Sequence, residues 1–253
     1  MKDYNKRRSP RGEKKNRKAI WVIIPILLGL IALVLFGRSS YFEIDEVYIE
    51  GKQELNREDI MEKVDEQELN YWLINLEKLE ESLKDNHWIK ETPLLKKEFP
   101  NTLFINVSER RPAAVWRSGE TYYKVSSDLM ILEREEQPSG QYPYLSGFEL
   151  SEGEAKIGEK LHKDLSSKFE ILFEEILARD IMEVDEIYKH NLQQVKLFIP
   201  GERVVRLGRL EQVEEKMHAF SLVKEEYYQK SSDYVLDLRV PEQPVLIQPE
   251  DME

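Results

Sequence analysis

The sequence predicts an α+β chain: one membrane-spanning helix, then a strand–helix–helix–strand–strand unit, then a strand-rich unit that also carries amphipathic helices. Three observations predict it. Residues 19–36, AIWVIIPILLGLIALVLF, form a run of 18 without a charged or strongly polar side chain. Residues 41–109 pass from strand alternation to helical spacing and back to alternation. Beyond Pro112, short apolar segments bounded by turn residues alternate with two stripes of helical period.

The apolar run organises the rest. At about 1.5 Å rise per residue its helix spans ~27 Å, close to the ~30 Å hydrocarbon core of a bilayer. A buried helix of a soluble protein rarely runs 18 apolar residues without a polar face. A cleaved signal has an apolar core of about 7–15 residues and a small-x-small cleavage site, and Gly37-Arg38-Ser39-Ser40 matches that poorly. Pro25 and Gly29 are tolerated within membrane helices. The reading is an uncleaved anchor.

Charge sets its direction. Residues 1–18 hold nine Lys or Arg against Asp3 and Glu13, a net +7, which leaves −19 on the remainder of a chain of net −12. Only Arg38 follows the span closely. The positive-inside rule puts the tail in the cytoplasm and residues 37–253 outside. The tail reads as a topology signal with attraction to anionic headgroups, because it lacks the aromatic interleaving of a nucleic-acid binder. The outer charge argues against nucleic acid as a ligand. The chain has no cysteine, which excludes a lipid-modified N-terminal cysteine and any thiolate metal site.

Taken in order, residues 41–51, YFEIDEVYIEG, predict a strand with Ile44, Val47 and Ile49 as its apolar side chains, a bulge where the 44-to-47 spacing breaks alternation, and a turn at Gly51-Lys52. Asn56 is placed to cap a short helix whose stripe is Ile60, Met61 and Val64. Asn75 starts a second helix, 76–84, with Leu76, Leu79 and Leu83 on one face. Strands follow at 88–99 and 102–109, joined by Pro100-Asn101, with Leu103, Ile105 and Val107 alternating inward.

The second half predicts strands at 114–116, 121–125 and 129–132, and an ordered loop over 133–160 that is rich in proline and glycine (Gly153 among them). Leu165, Phe169, Leu172, Phe173, Ile176 and Leu177 mark an amphipathic helix. Strands at 184–188, 194–199 and 203–207 follow, the last two a hairpin about Pro200-Gly201. Leu210, Val213, Met217, Phe220 and Val223 mark another helix, and 234–240, YVLDLRV, a final strand before the proline-interrupted PEQPVLIQPEDME.

No catalytic constellation emerges. His87, His162, His190 and His218 lack ligand spacing, so no metal site is predicted, and no cofactor motif is present. Ser126-Ser127-Asp128 reads as a turn, and Glu80 and Glu81 point about 100° apart on their helix. The expectation is a non-enzyme. What remains is binding: the 234–240 strand, followed by Val245-Leu246-Ile247, is an edge able to recruit a partner by strand addition, or else an ordinary edge with a frayed tail.

A membrane span followed at once by FEIDEVYIEGKQELNREDI (42–60) and NHWIKETPLLKKEFPNTLFINVSERRPAAVW (86–116) resembles the POTRA domain of the bacterial cell-division family FtsQ/DivIB. The marks are Val47, Ile49 and Gly51 at the first strand's end, the strand pair about Phe99-Pro100-Asn101-Thr102-Leu103, and ERRPAAVW (109–116) leaving the last strand. VKLFIPGERVVRLG (195–208) and VLDLRV (235–240) extend the resemblance to the second half, so that it covers residues 19–248.

The resemblance implies a basic tail at 1–18, a span at 19–36, a POTRA domain at 41–111, a mixed β domain with helices on one side at 112–240, and a C-terminal tail at 241–253. It implies a non-enzymatic scaffold of the division complex at the septum, bound to the single-span partners DivIC/FtsB and FtsL, with septal wall-synthesis proteins as further partners. Carried over to this sequence, that contact falls on Arg239, Val240, Pro244, Val245, Leu246 and Ile247. The competing readings are a wall-acting enzyme, which wall hydrolysis by residues 37–253 would reveal, and a membrane sensor, which regulated cleavage near Ser39-Ser40 would reveal.

Overall fold

The computed structural model describes residues 16–51, 55–138, 140–149, 155–179, 184–191 and 194–248. The predicted basic tail up to residue 15, Lys52 of the first turn, Gly153 of the predicted loop and residues 249–253 lie outside them.

Helix α1 covers Asn16–Gly37, with Pro25 inside it. Among the described residues it is the one helix long and apolar enough to cross a membrane: Ile20–Gly37 has a mean hydropathy of 2.8, and none of its residues is buried by the rest of the described chain. Its length and exposed apolar side chains suit the hydrocarbon core of a bilayer.

A 3₁₀ turn at Ser40–Phe42 leads to β1 (Glu46–Glu50), α2 (Arg57–Asp65), α3 (Leu76–Lys84), β2 (Leu94–Glu98) and β3 (Thr102–Asn106). The sheet order is β1-β3-β2, with β1 parallel and β2 antiparallel to β3. Ile60, Val64, Leu79 and Leu83 from the helices meet Leu103, Ile105 and Val107 from the sheet in one core. Asn75 caps α3 as expected, its side chain accepting the Lys78 N–H at 3.1 Å.

Three expectations for this unit are corrected. The strand expected over 41–51 is only β1, and there is no bulge in it. Ile44 precedes it, buried, with its N–H donating to the Leu69 carbonyl at 3.0 Å. Asn56 stands at the N-cap of α2 but makes no side-chain capping bond. The strand expected from residue 88 begins at Leu94, because the Asn86 side chain takes the Trp88 N–H at 2.9 Å and folds the chain into a turn.

Among the described residues the larger sheet has nine strands: β4 (Pro112–Ser118), β5 (Thr121–Ser126), β6 (Ile131–Glu135), β7 (Tyr144–Ser146), β8 (Glu186–Asn191), β9 (Gln194–Ile199), β10 (Arg203–Gly208), β11 (Val235–Asp237) and β12 (Val245–Ile247). Their spatial order is β12-β11-β10-β9-β8-β7-β4-β5-β6. Helices α4 (Ser166–Ala178) and α5 (Val213–Gln229) contact each other, and Phe169, Leu172, Phe173, Met217, Phe220 and Tyr227 share a core with Val125, Leu145, Ile187, Leu197, Val205 and Leu236.

The expected loop over 133–160 contains β7, whose three residues pair in parallel with both β4 and β8 and join the two halves of the sheet. A run of three residues between Pro143 and Gly147 is too short to show a period. Leu129 is not in β6. It lies at φ 60° in the preceding turn, and β6 runs on to Glu135.

The two units are joined by a buried polar clasp. Arg110 Nε lies 3.1 Å from both carboxylate oxygens of Asp128, and its Nη1 donates to the carbonyls of His87 at 2.8 Å and Ile89 at 2.5 Å. Lys160 and the Ser126 hydroxyl complete the Asp128 shell at 3.0 and 2.5 Å. Burial works against the Asp128 charge, but the Ser126 and Lys160 hydrogen bonds and the Arg110 charge outweigh it and hold the pKa below the ordinary carboxylate value.

Candidate partner-binding edge

The last strands end where side chains, not composition, dictate. Asp237 closes β11. Its carboxylate accepts the Arg239 backbone N–H at 3.0 Å and receives the Arg239 guanidinium, Nε at 2.8 Å and Nη2 at 2.6 Å. Capturing an N–H two residues on turns the chain out of the sheet. The strand expected over 234–240 is thus three residues long, and Arg239 and Val240 belong to the loop beyond it. The loop turns at Val240-Pro241-Glu242-Gln243, closed by the Gln243 N–H on the Val240 carbonyl at 3.1 Å.

Burial opposes the Asp237 charge. The bonds from the Arg239 side chain and backbone, with the charges of Arg239 and Arg206, more than offset that and hold its pKa below the ordinary range. The aliphatic stem of Arg239 lies over Gly208, where a Cβ would come within 2.8 Å of its Cγ, so a glycine at 208 makes room for this conformation.

The chain then returns as β12, antiparallel to β11, with Val235 opposite Ile247, Leu236 opposite Leu246 and Asp237 opposite Val245. Pro241 and Pro244, which cannot donate to a ladder, lie in the connection and spare the three paired residues. β12 is the sheet edge. Leu246 turns toward the helices and packs on the main core. Val245 is half exposed on the opposite face, beside Ile247. An open hollow of about 370 Å³ on that face is lined by Arg239, Val240, Val245 and Ile247. A smaller one of about 190 Å³ on the helix side is lined by Val223, Tyr227, Leu236, Pro244 and Leu246. The structure thus brings together all six residues expected at a contact, on both faces of one edge.

Two supporting residues were not legible in sequence. Tyr227 on α5 is buried beneath β10 and β11. Its hydroxyl accepts the Val204 N–H at 3.0 Å, and its single proton is shared between the Val204 and Tyr234 carbonyls at 2.9 and 3.0 Å. Burial raises its pKa above the ordinary value. Asp237 is the other, and the D-x-R spacing in LDLR was the available signal.

The other sheet edges differ. β6 carries Glu133, Arg134 and Glu135, and part of its free side is taken by the Ile131 N–H on the Glu159 carbonyl at 3.0 Å and the Gly158 N–H on the Ile131 carbonyl at 2.9 Å. β1 and β2, EVYIE and LLKKE, both carry charges, a usual guard against unwanted pairing. Among the described residues β12 is the one sheet edge whose side chains are all apolar.

One apolar span, a three-stranded α/β unit attached to its end and a nine-stranded sheet closing on an open strand define a single-span membrane protein built to present a folded region beside the bilayer. A family model described as "POTRA domain, FtsQ-type" matches residues 42–110, and one described as "Cell division protein FtsQ/DivIB, C-terminal" matches 114–239. The chain belongs to the FtsQ/DivIB family of cell-division proteins. The second match stops before β12.

The chain is 26% identical over 200 residues to the cell division protein FtsQ of Syntrophotalea carbinolica, covering 71% of this chain and 69% of that one. It is 26% identical over 105 residues to FtsQ of Rickettsia bellii, covering 41% and 38%. To the cell division protein DivIB of Clostridium acetobutylicum it is 28% identical over 144 residues, 56% of each. The match to the Rickettsia protein thus spans well under half of that relative's length. The major extracytoplasmic domain of DivIB from Geobacillus stearothermophilus aligns at 16% identity over 46% of this chain and 97% of that one, with a TM-score of 0.33, too loose a superposition to carry an argument.

Proposed function

We propose that this chain is a non-enzymatic scaffold of the division complex at the septum, with its basic tail in the cytoplasm and residues 37–253 outside, and that it recruits other single-span division proteins by accepting a strand along β12. The observation that carries the reading is the open, apolar edge at Val245–Ile247, flanked by a hollow on each face. An added strand would take its main-chain hydrogen bonds from β12 and place alternate side chains in the two hollows, which gives affinity and specificity separate sources. Arg239, Val240, Pro244, Val245, Leu246 and Ile247 are the contact residues, with Arg239 held in place by Asp237. The partners are proteins like DivIC/FtsB and FtsL. The units are a tail at 1–18, the span at 19–36, a POTRA domain at 41–111, a β domain at 112–240 and a tail from 241 that includes β12. Membrane attachment confines scaffold and partners to one surface and raises their effective concentration.

The test is capture of purified outer segments of DivIC-like and FtsL-like proteins by the full chain in lipid nanodiscs. Val245→Lys and Ile247→Lys place charges on one face of the edge, and truncation after Gln243 removes the strand. Binding by the wild type that is lost in all three supports recruitment at β12. Binding that survives truncation moves the contact to another surface. Hydrolysis of purified wall material by the same sample would overturn the non-enzymatic reading.

A further inference from the structure

The end of the smaller unit next to α1 carries an exposed aromatic cluster fastened directly to the span. Phe36, within the apolar run, meets Phe42 edge to face at 5.3 Å between ring centroids. Phe42 is buried, and around it stand Tyr41 at 5.0 Å, Trp72 at 5.8 Å and Phe99 at 5.9 Å. Polar bonds lock the same joint. Asn70 Nδ2 donates to the carbonyl of Gly37, the last residue of α1, at 3.0 Å, and the Tyr71 N–H donates to the Phe42 carbonyl at 2.8 Å. Only Arg38 and Ser39 separate the helix from the 3₁₀ turn, so no linker lifts the unit away from the span.

The rings around Phe42 are not themselves buried. Tyr41, Trp72 and Phe99 are 60%, 58% and 56% exposed, and Leu73, next to Trp72, is 41% exposed. Lys97 rims the cluster, its ammonium 4.9 Å from the Tyr71 ring centroid and bonded to the Tyr71 carbonyl at 2.7 Å. Burying the Phe42 ring does not require leaving Trp72, Leu73 and Phe99 in water, and an aqueous exposure of that apolar area is costly.

We propose that this face is a membrane-contacting surface: Tyr41, Trp72, Leu73 and Phe99 enter the headgroup region of the leaflet at the C-terminal end of α1, and the smaller unit lies against the bilayer. The occupant follows from continuity. The cluster is built onto Phe36, a residue of the span itself, so its rings stand at the boundary where the hydrocarbon ends. Tyr and Trp are the side chains that favour that boundary, with an apolar ring toward the chains and a polar edge toward the headgroups. Such contact would fix the tilt of the outer region instead of leaving it to swivel about one helix.

The test uses the absence of cysteine. Single cysteines at Tyr41, Leu73 and Phe99 are spin-labelled in the full chain, in nanodiscs of phosphatidylcholine and phosphatidylglycerol. Collision with oxygen, which concentrates in the bilayer, is compared with collision with a water-soluble nickel chelate. Leu28→Cys gives the mid-span reference, and Leu222→Cys, 71% exposed on α5, the aqueous reference. The expected result is oxygen-favoured collision at 41, 73 and 99, between the two references. Water-like values at those sites with a lipid-deep value at Leu28 would overturn the proposal, and a water-like value at Leu28 would overturn it together with the anchor. Brominated lipids provide a label-free check. They should quench tryptophan emission of the wild type more than that of Trp72→Phe, and equal quenching would overturn the proposal.

Discussion

Tyr227→Phe should loosen the β11–β12 edge without touching it. The substitution keeps the ring, so it opens no cavity beneath β10 and β11. It deletes the hydroxyl that accepts the Val204 N–H and shares its one proton between the Val204 and Tyr234 carbonyls. The Val204 N–H, left without its acceptor under a Tyr227 ring that is 1% exposed, should carry a desolvation cost of about 1–3 kcal/mol. For an outer region of this size, at about 2–4 °C per kcal/mol, that corresponds to a fall of roughly 2–12 °C in Tm. The loss should also be local. β11 is attached to the sheet by β10, and β12 by β11 alone, so hydrogen exchange should accelerate in 234–238 and 245–247 more than in β8 or β9. The pH dependence gives an independent sign. A tyrosine whose folded-state pKa is raised contributes stability that is present below the unfolded value of about 10 and lost as pH rises through the folded value. The wild type should lose this component at alkaline pH and the variant should not. Urea unfolding of the full chain in detergent, with exchange measured in nanodiscs, reads all three. An unchanged unfolding midpoint with unchanged exchange over 234–247 would refute the role given to the hydroxyl.

Two further outcomes follow from the geometry. Asp128→Ala removes the carboxylate that faces Arg110 and Lys160 and leaves the buried Arg110 guanidinium without its counter-charge, while the partly exposed Lys160 keeps its bond to Ser166, so unfolding should cost about 3–5 kcal/mol less than in the wild type. In the wild type the Asp128 contribution is present above the unfolded carboxylate value of about 4 and disappears as pH falls through the lower folded value, so acid titration of wild type and variant should converge below that window. Gly147→Ala places a Cβ into the Lys189 carbonyl oxygen at a φ of 75°, and should destabilise the β7–β8 pairing by at least ~1–3 kcal/mol, read by denaturant unfolding. Wild-type stability in that variant would show that β7 does not bind the two halves of the sheet as described.

Much of the architecture was legible because it rests on local pattern. The span needs only length and composition. Leu79 and Leu83 on α3, and Leu103 and Ile105 on β3, needed only the helical and strand periods, and Asn75 needed only its side chain and the N–H three residues on. Failures fell where a distant group decides. Ile44 looks like a strand residue, but a bond to Leu69 places it outside β1. β7 is strand only because β4 and β8 flank it. Val240 continues an apolar alternation, yet Asp237 ends β11 before reaching it.

The six positions proposed for partner contact were available from the sequence as a resemblance, but not their arrangement. The sequence by itself determined that this chain is anchored by one helix, carries two α/β units and has an apolar VLI segment between prolines near its end. Only the tertiary structure decided that VLI is the outermost strand of a nine-stranded sheet and that Arg239 is pinned beside it. It alone joined the smaller unit's aromatic face to the end of the span. The physical reason is the range of the interactions. Helix stripes, caps and apolar runs are written within a few residues of one another. Strand pairing, edge exposure and ring clusters depend on residues brought together from far apart in the chain, and these are fixed only when the sheet closes.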